Sequence, residues 1–467
     1  MKIRDVVNIF GEYFVFGLLG LILFMLVGVF FYFIVYKKIL KGKKNISKNK
    51  MIFGSLFIVY FVMVLGITFL NRGVFFQRSI NIHFLSSYKD AWNTFSLRSW
   101  QLIILNIFMF LPFGFLLPLL QKKFYKIHNT LILAFLFTIC IELFQLVTGL
   151  GVFDIDDVFN NMLGSLIGYG LIMAILLVIK PNKNKKVKIM AYLSPMIITI
   201  LIFASIFIYH NNKEYGNIAQ TYIYKLDLQR ADIKLDIALK DDNQDIYIYR
   251  APKYSKDEAL KWANMFYENL GIDVSNLKVD AYDDSAIFWI NGNPTYNVTF
   301  DYIGGKYSFT DFSRFDVGVE TMNIEEDLLI DKLAAYDVNI PEEAEYIVKD
   351  TGNYQWLINK YVIEDKLLDG NITCTYFDDN SIKEISNNLL EYEKIKKIEV
   401  KSEKEAFEDL SAGKFQYYGV EKIKTITVKN VNLDYTLDSK GFYQPIYLFT
   451  SIINGNDYII IIPAMKI

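Results

Sequence analysis

Cysteine and histidine are scarce in this sequence, with two and three copies in 467 residues. Cys140 lies in an apolar stretch and Cys374 in a charged one, which assigns them to different compartments and excludes a disulfide framework. His83, His128 and His210 form no His-x-x-x-His zinc pair. No Gly-x-Ser-x-Gly elbow, Walker loop or Gly-x-Gly-x-x-Gly fingerprint is present, so the familiar hydrolase and nucleotide-binding signatures are missing. Acidic residues are scarce in one half only. Residues 1–209 hold seven Asp and Glu against 21 Lys and Arg, whereas 210–467 hold 44 against 28. An apolar, basic half joined to a polar, acidic half describes a membrane unit with a soluble appendage, and the acidic half argues against nucleic acid as a partner.

A bilayer core of about 30 Å takes roughly 20 apolar residues of helix. Six runs qualify: 10–36, 51–70, 101–120, 129–148, 158–179 and 189–209. The first is too long for a signal-peptide core and has no small-residue cleavage site after it, so it reads as a retained helix. Link 37–50 carries seven lysines, 121–128 three and 180–188 five, while 149–157 has no basic residue and 71–100 has four without a cluster. Basic links stay on the cytoplasmic side. The expectation is a multi-pass protein of the cell membrane with its N-terminus and residues 210–467 extracytoplasmic. The lysines of 37–50 would meet anionic lipid at the inner surface of the bilayer.

Polar residues inside the runs are few, and a charge there costs about 2.5–3.5 kcal/mol on insertion scales. The third run holds Asn106, then Pro112 and Gly114. The fourth holds Glu142 and Gln145, three apart on one helical face. The next link delivers Asp154, Asp156 and Asp157, and the fifth run opens with Asn161, Gly164 and Gly168. The proposed topology brings all of these to one depth near the outer interface. Asp156 or Asp157 is suited to cap the fifth helix. The Gly164/Gly168 pair suits close helix packing, and Pro112 suits a kink.

At these residues the chain resembles the VanZ-like family. The shared pattern is Asn106, then Pro112-Phe113-Gly114, Glu142-x-x-Gln145, an acidic link at 154–157, and Asn161, Gly164 and Gly168, over about 51–179. Many members carry an Arg between the Gln and the acidic link. Here Thr148 to Phe153 is uncharged, so no anion-binding role for that Arg carries over. The family is named after a protein implicated in low-level resistance to the glycopeptide teicoplanin. The resemblance therefore implies a link to envelope stress or glycopeptide tolerance, without an established reaction.

In the second half, SKDEALKWANMFYENL at 255–270 has a Ser cap and apolar residues at helical spacing. The strand-like LKVDAY, SAIFWI, TYNVTFDYI and KYSFTDFS follow, with Asn-Gly and Gly-Gly turn signals. SEKEAFEDLSAGK repeats the pattern, with Ser402 and Glu405 fitting a capping box before three more strand-like segments. The fold class expected is a polytopic α-helical membrane bundle of about six helices (1–209), plus an extracytoplasmic α+β domain (210–467) of two related helix-plus-antiparallel-sheet modules. Such modules look like the extracytoplasmic ones called PepSY-like, and DSKGFYQPIYLF resembles regulatory membrane-anchored domains of bacteria with thick cell walls. That resemblance implies binding or regulation.

Three functional readings stay open. In the first, Asn106, Glu142, Gln145, Asp154, Asp156, Asp157 and Asn161 form an outer polar pocket that binds a lipid-linked wall precursor, a glycopeptide or an envelope protein partner, without catalysis. In the second, Glu142 and one of Asp154, Asp156 or Asp157 act as acid, base or divalent-cation ligands of a membrane enzyme working on a lipid-linked wall intermediate, which Asn106, Gln145 and Asn161 orient. In the third, the membrane helices only anchor the soluble domain. No organic cofactor is implied; a divalent cation at the acidic turn is the one such group these residues suggest.

Overall fold

The computed structural model describes residues 48–70, 79–179, 185–282, 284–363, 365–419 and 421–466. The apolar run at 10–36 and most of the lysine-rich links 37–50 and 180–188 lie outside them. The chain divides into two compact units, Met1–Glu214 and Tyr215–Ile467.

In the first unit, α1 (Lys48–Leu65) runs on into a wider π-helical turn, Gly66–Leu70. A two-residue strand β1 (Ile80–Asn81) and a short helix α2 (Ser86–Thr94) follow. Then come α3 (Leu97–Leu120), α4 (Ile127–Thr148), the two-residue β2 (Phe153–Asp154), α5 (Ile155–Ile179) and α6 (Lys185–Asn212). Among the described residues, five helices are long and apolar enough to cross a membrane, which makes this a multi-pass unit. The Ser96 side chain accepts the Ser99 N–H to start α3, and Gly149 ends α4 at φ 72, a conformation glycine adopts without a Cβ clash.

Helices α3 and α5 cross closely enough to exclude side chains. A Cβ on Gly114 would lie 1.8 Å from the Ser165 carbonyl oxygen, and one on Gly168 would lie 1.9 Å from that of Leu111. Gly164 meets the Ile107 carbonyl at the same 1.9 Å. With no hydrophobic drive between helices in lipid, such backbone approach supplies the packing. Around it, Phe113 and Phe137 stack at 5.3 Å, with Phe110 and Tyr60 buried in the same cluster.

The second unit is α+β. Its strands are β3 (Asp232–Leu235), β4 (Asp245–Arg250), β5 (Lys278–Ala281), β6 (Ser285–Ile290), β7 (Tyr296–Asp301), β8 (Tyr307–Asp311), β9 (Glu345–Asp350) and β10 (Asn353–Ile363). They continue with β11 (Lys366–Tyr376), β12 (Ile382–Asn387), β13 (Leu390–Glu399), β14 (Thr425–Leu437), β15 (Phe442–Ile453) and β16 (Asn456–Pro463). One hydrogen-bonded path runs β3-β14-β15-β4-β13-β11-β12-β8-β7-β6-β5, with β16 on β15, and β10 and then β9 on β11. Only β3 and β14 pair in parallel along it. Helix α7 (Lys256–Asn269) buries Ala259, Ala263, Phe266 and Tyr267 against one part of the sheet. After the short α8 (Glu326–Leu333), helix α9 (Glu403–Ser411) buries Ala406 and Leu410 against another. Both α7 and α9 begin with a complete capping box, Ser255 with Glu258 and Ser402 with Glu405. Two helix-on-sheet cores thus share one continuous ladder. Burial pushes the Cys374 thiol up to about 12, which leaves it a small, inert core residue.

Candidate functional site

The polar residues of the first unit gather where α3, α4 and α5 meet the 79–94 segment. That segment folds back onto the start of α5. Ile80 and Asn81 pair in parallel with Phe153 and Asp154, and Phe153 N–H donates to the Ser79 carbonyl at 3.2 Å. Residues 79–94, within a stretch that reads from sequence as a link, therefore carry part of the cluster.

The three aspartates do three different jobs. Asp154 accepts the Asp156 N–H at 2.8 Å, so Asp154, and not Asp156 or Asp157, makes the turn that opens α5. Its other carboxylate oxygen takes the Asn81 amide at 3.1 Å and the Ser87 hydroxyl at 3.4 Å. Asp156 is fully buried and points at a different helix. Its oxygens accept the Leu85 N–H at 2.6 Å, the Ser87 N–H at 2.8 Å and the Ser86 hydroxyl at 3.3 Å. It thus caps α2 from outside that helix, which has no side-chain cap of its own. Leu85 stands there at φ 64, in the left-handed region that costs a residue with a Cβ about 1–2 kcal/mol, and the Asp156 bond helps to hold it. Asp157 is half-buried and accepts the Asn106 amide, tying α5 to α3.

Glu142, Gln145 and Thr138 lie on one buried face of α4. Glu142 is 2 % exposed and accepts the Asp154 N–H at 3.2 Å. Gln145 donates to the Thr68 carbonyl at 3.3 Å, inside the π-helical turn. Asn161, 1 % exposed, donates to the Thr138 hydroxyl at 2.8 Å. Asn160 accepts the Tyr88 hydroxyl at 2.5 Å. Among the described residues four buried amide atoms of this unit have no hydrogen-bond partner: Gln101 Oε1, Gln145 Oε1, Asn160 Nδ2 and Asn161 Oδ1. Stranding such an atom costs about 1–3 kcal/mol, so a cluster of them is a cost without a structural return.

Asn81, Ser86, Ser87, Tyr88 and Asn160 are not singled out by the sequence pattern. The one available signal was Ser86-Ser87 before Asp90, a polar start to a short amphipathic helix. Pro112 and Gly114 sit in the middle of α3. Pro112 lines an apolar groove of about 480 Å³ between α1 and α3, with Tyr60, Met63, Phe108 and Phe115, and the Tyr60 hydroxyl is buried without a partner among the described residues. Among the described residues no three His, Cys, Asp or Glu side chains are grouped to hold a metal ion.

Five spanning helices and a buried carboxylate–amide cluster define the first unit as a multi-pass membrane domain with an internal polar site. Residues 57–178, about a quarter of the chain, match the model of the VanZ/LLP1 family, so this stretch is similar to that family. No curated protein sequence matches the chain. Solved structures that align with it include two from bacteria. One is the crystal structure of an uncharacterized protein from Eubacterium rectale ATCC 33656, 10% identical over 53% of this chain and 94% of its own, with a TM-score of 0.26. The other is the YpeB C-terminal domain of Bacillus megaterium, 12% identical over 46% of this chain and 95% of its own, with a TM-score of 0.19. Likenesses this slight carry nothing over to this chain.

Proposed function

We propose that the VanZ-like domain binds a lipid-linked component of the bacterial envelope at the cluster around Glu142, Gln145 and Asn161, and that this binding contributes to glycopeptide tolerance. The observation that carries the reading is a set of buried amide atoms without a partner among the described residues, Gln145 Oε1, Asn160 Nδ2 and Asn161 Oδ1, in the unit that also buries the Glu142 carboxylate. Protein interiors seldom leave such atoms unmatched, and a polar ligand group would match them. The apolar groove beside Pro112 supports a ligand with a hydrocarbon tail. Binding is favoured over catalysis because Asp154 and Asp156 already spend their carboxylates on helix ends, as acceptors from N–H and O–H donors. In this reading the cluster faces the outer leaflet and residues 215–467 are extracytoplasmic, as the lysine distribution favours.

The test is replacement of Glu142 by Gln and of Asn161 by Ala in the native host, with membrane protein levels matched by immunoblot. Teicoplanin susceptibility should rise at least fourfold in either strain. Unchanged susceptibility at equal protein level counts against the assignment.

A further inference from the structure

The soluble unit contains a cleft that the membrane reading does not use. Strand β11 changes partner along its length: residues 366–369 pair with β13, and 372–376 pair with β12. Gly370 stands at the changeover with φ 139, and a Cβ there would lie 2.2 Å from the Asn388 carbonyl oxygen. On the other edge, β10 slips register between Ile358 and Tyr361, which takes Asn359 and Lys360 out of the ladder. The two irregularities open a cleft of about 460 Å³, lined by Lys306, Lys360, Asp369, Asn371, Asn388 and Asp434 among others. That volume suits a small ligand.

The lining is built and charged asymmetrically. Lys360 pairs with Asp434 and lies 3.9 Å from Asp369, so two carboxylates share one ammonium and one negative charge is left over. Asp369 also accepts the Tyr443 hydroxyl, and Tyr443 stacks on Tyr392 at 4.1 Å, which fixes the carboxylate before any ligand arrives. Burial, then Asp369, pushes the Tyr443 hydroxyl well above its ordinary value, so it stays a donor. Lys306 is half-buried, has no ion pair within 4.0 Å among the described residues, and is coupled at longer range to the Asp301 carboxylate. Between these charges, Asn388 donates its amide to Asn371 Oδ1 at 3.1 Å. That bond leaves one amide donor, Asn371 Nδ2, and one acceptor, Asn388 Oδ1, without a protein partner among the described residues.

A cation with no direct ion pair, a surplus anionic charge, and an amide donor and acceptor lining the same cleft are complementary to a carboxylate, an ammonium and a peptide group. We propose that this cleft binds a short peptide with both termini free, its carboxylate at Lys306, its ammonium at the Asp369–Asp434 pair and its peptide bond on Asn371 and Asn388. The site is independent of the membrane cluster.

The full chain, purified in detergent, is titrated by calorimetry with free alanyl-alanine, alanyl-lysine and alanyl-glutamate. The same peptides N-acetylated or C-amidated, and N-acetylglucosamine, serve as comparisons. At least one free dipeptide binds, and blocking either terminus weakens it about tenfold or more, as loss of a charge-assisted contact would. Lys306→Ala weakens the free dipeptide by a similar factor and leaves the C-amide unchanged, while Asp434→Asn selectively weakens peptides with a free amine. Unchanged thermal midpoints show that both variants fold. Three outcomes overturn the proposal: no binding of any free dipeptide at 10 mM (about the weakest affinity worth the name), equal binding of blocked and free forms, or binding of the sugar alone.

Discussion

At the residue scale, the same carboxylate chemistry serves different ends according to what surrounds it. In the membrane unit Asp156 gives its oxygens to a helix start, while Glu142, on a neighbouring helix, shares a buried face with Gln145, whose Oε1 has no partner among the described residues. In the soluble unit Asp409 on α9 accepts Lys401 at 2.8 Å and Lys414 at 2.6 Å. Burial raises its pKa, and hydrogen bonds from the two lysines more than offset that, so the folded carboxyl titrates below its ordinary range. A depressed carboxylate adds stability above its unfolded value, near 4, and that stability is lost as pH falls through the folded value. Asp409→Asn should therefore cost about 1 kcal/mol at neutral pH, or about 2–4 °C of melting temperature in a domain of this size. The difference from wild type should close in strong acid. A gap that persists there would mean the asparagine disturbs packing and not charge.

At the element scale, the 79–94 segment is held to the tip of α5 by Asp154 and Asp156 together with the two-residue parallel pairing. Removing the Asp156 acceptor with Asp156→Ala strands the Leu85 and Ser87 N–H groups and releases the strain at Leu85, at a cost of about 1–3 kcal/mol. Hydrogen exchange in detergent should then rise in residues 80–94 and stay unchanged in α3. Equal protection of 80–94 in the variant would show that the strand pairing alone suffices. The fold-back was hidden in the sequence because its bonds join residues about 70 positions apart, and no local spacing encodes them. The spanning helices were legible, since a run of twenty apolar residues states its own solution. So were β6 to β8 and β14 to β16, whose alternation is a local signal, as are the Asn-Gly or Gly-Gly turns between β6 and β7, β7 and β8, and β15 and β16. Strands β9 to β13 were not: their charged positions, as in LEYEKIKKIE, mask the alternation that burial of Leu390 and Tyr392 makes plain.

At the scale of the whole molecule, the asymmetry of charge is the organising fact, with lysine-rich links alternating with lysine-poor ones between the apolar runs and an acidic half after them. Leu150→Cys, in a chain with Cys140 and Cys374 replaced by Ser, places a thiol in the α4–α5 turn. A membrane-impermeant maleimide added to intact cells should label it. Labelling only after permeabilisation would reverse the orientation and move the polar cluster to the inner leaflet.

The sequence by itself determined the spanning helices, the α+β character of the second half, and the short roster of polar residues available inside the membrane, because hydrophobic run length, periodicity and charge are local properties. Tertiary structure alone decided which aspartate opens α5 and which caps α2, that Tyr88 meets Asn160, and that a partner change along β11 opens a cleft. Each of those outcomes depends on which distant backbone groups arrive beside a side chain, and only the folded chain brings them there.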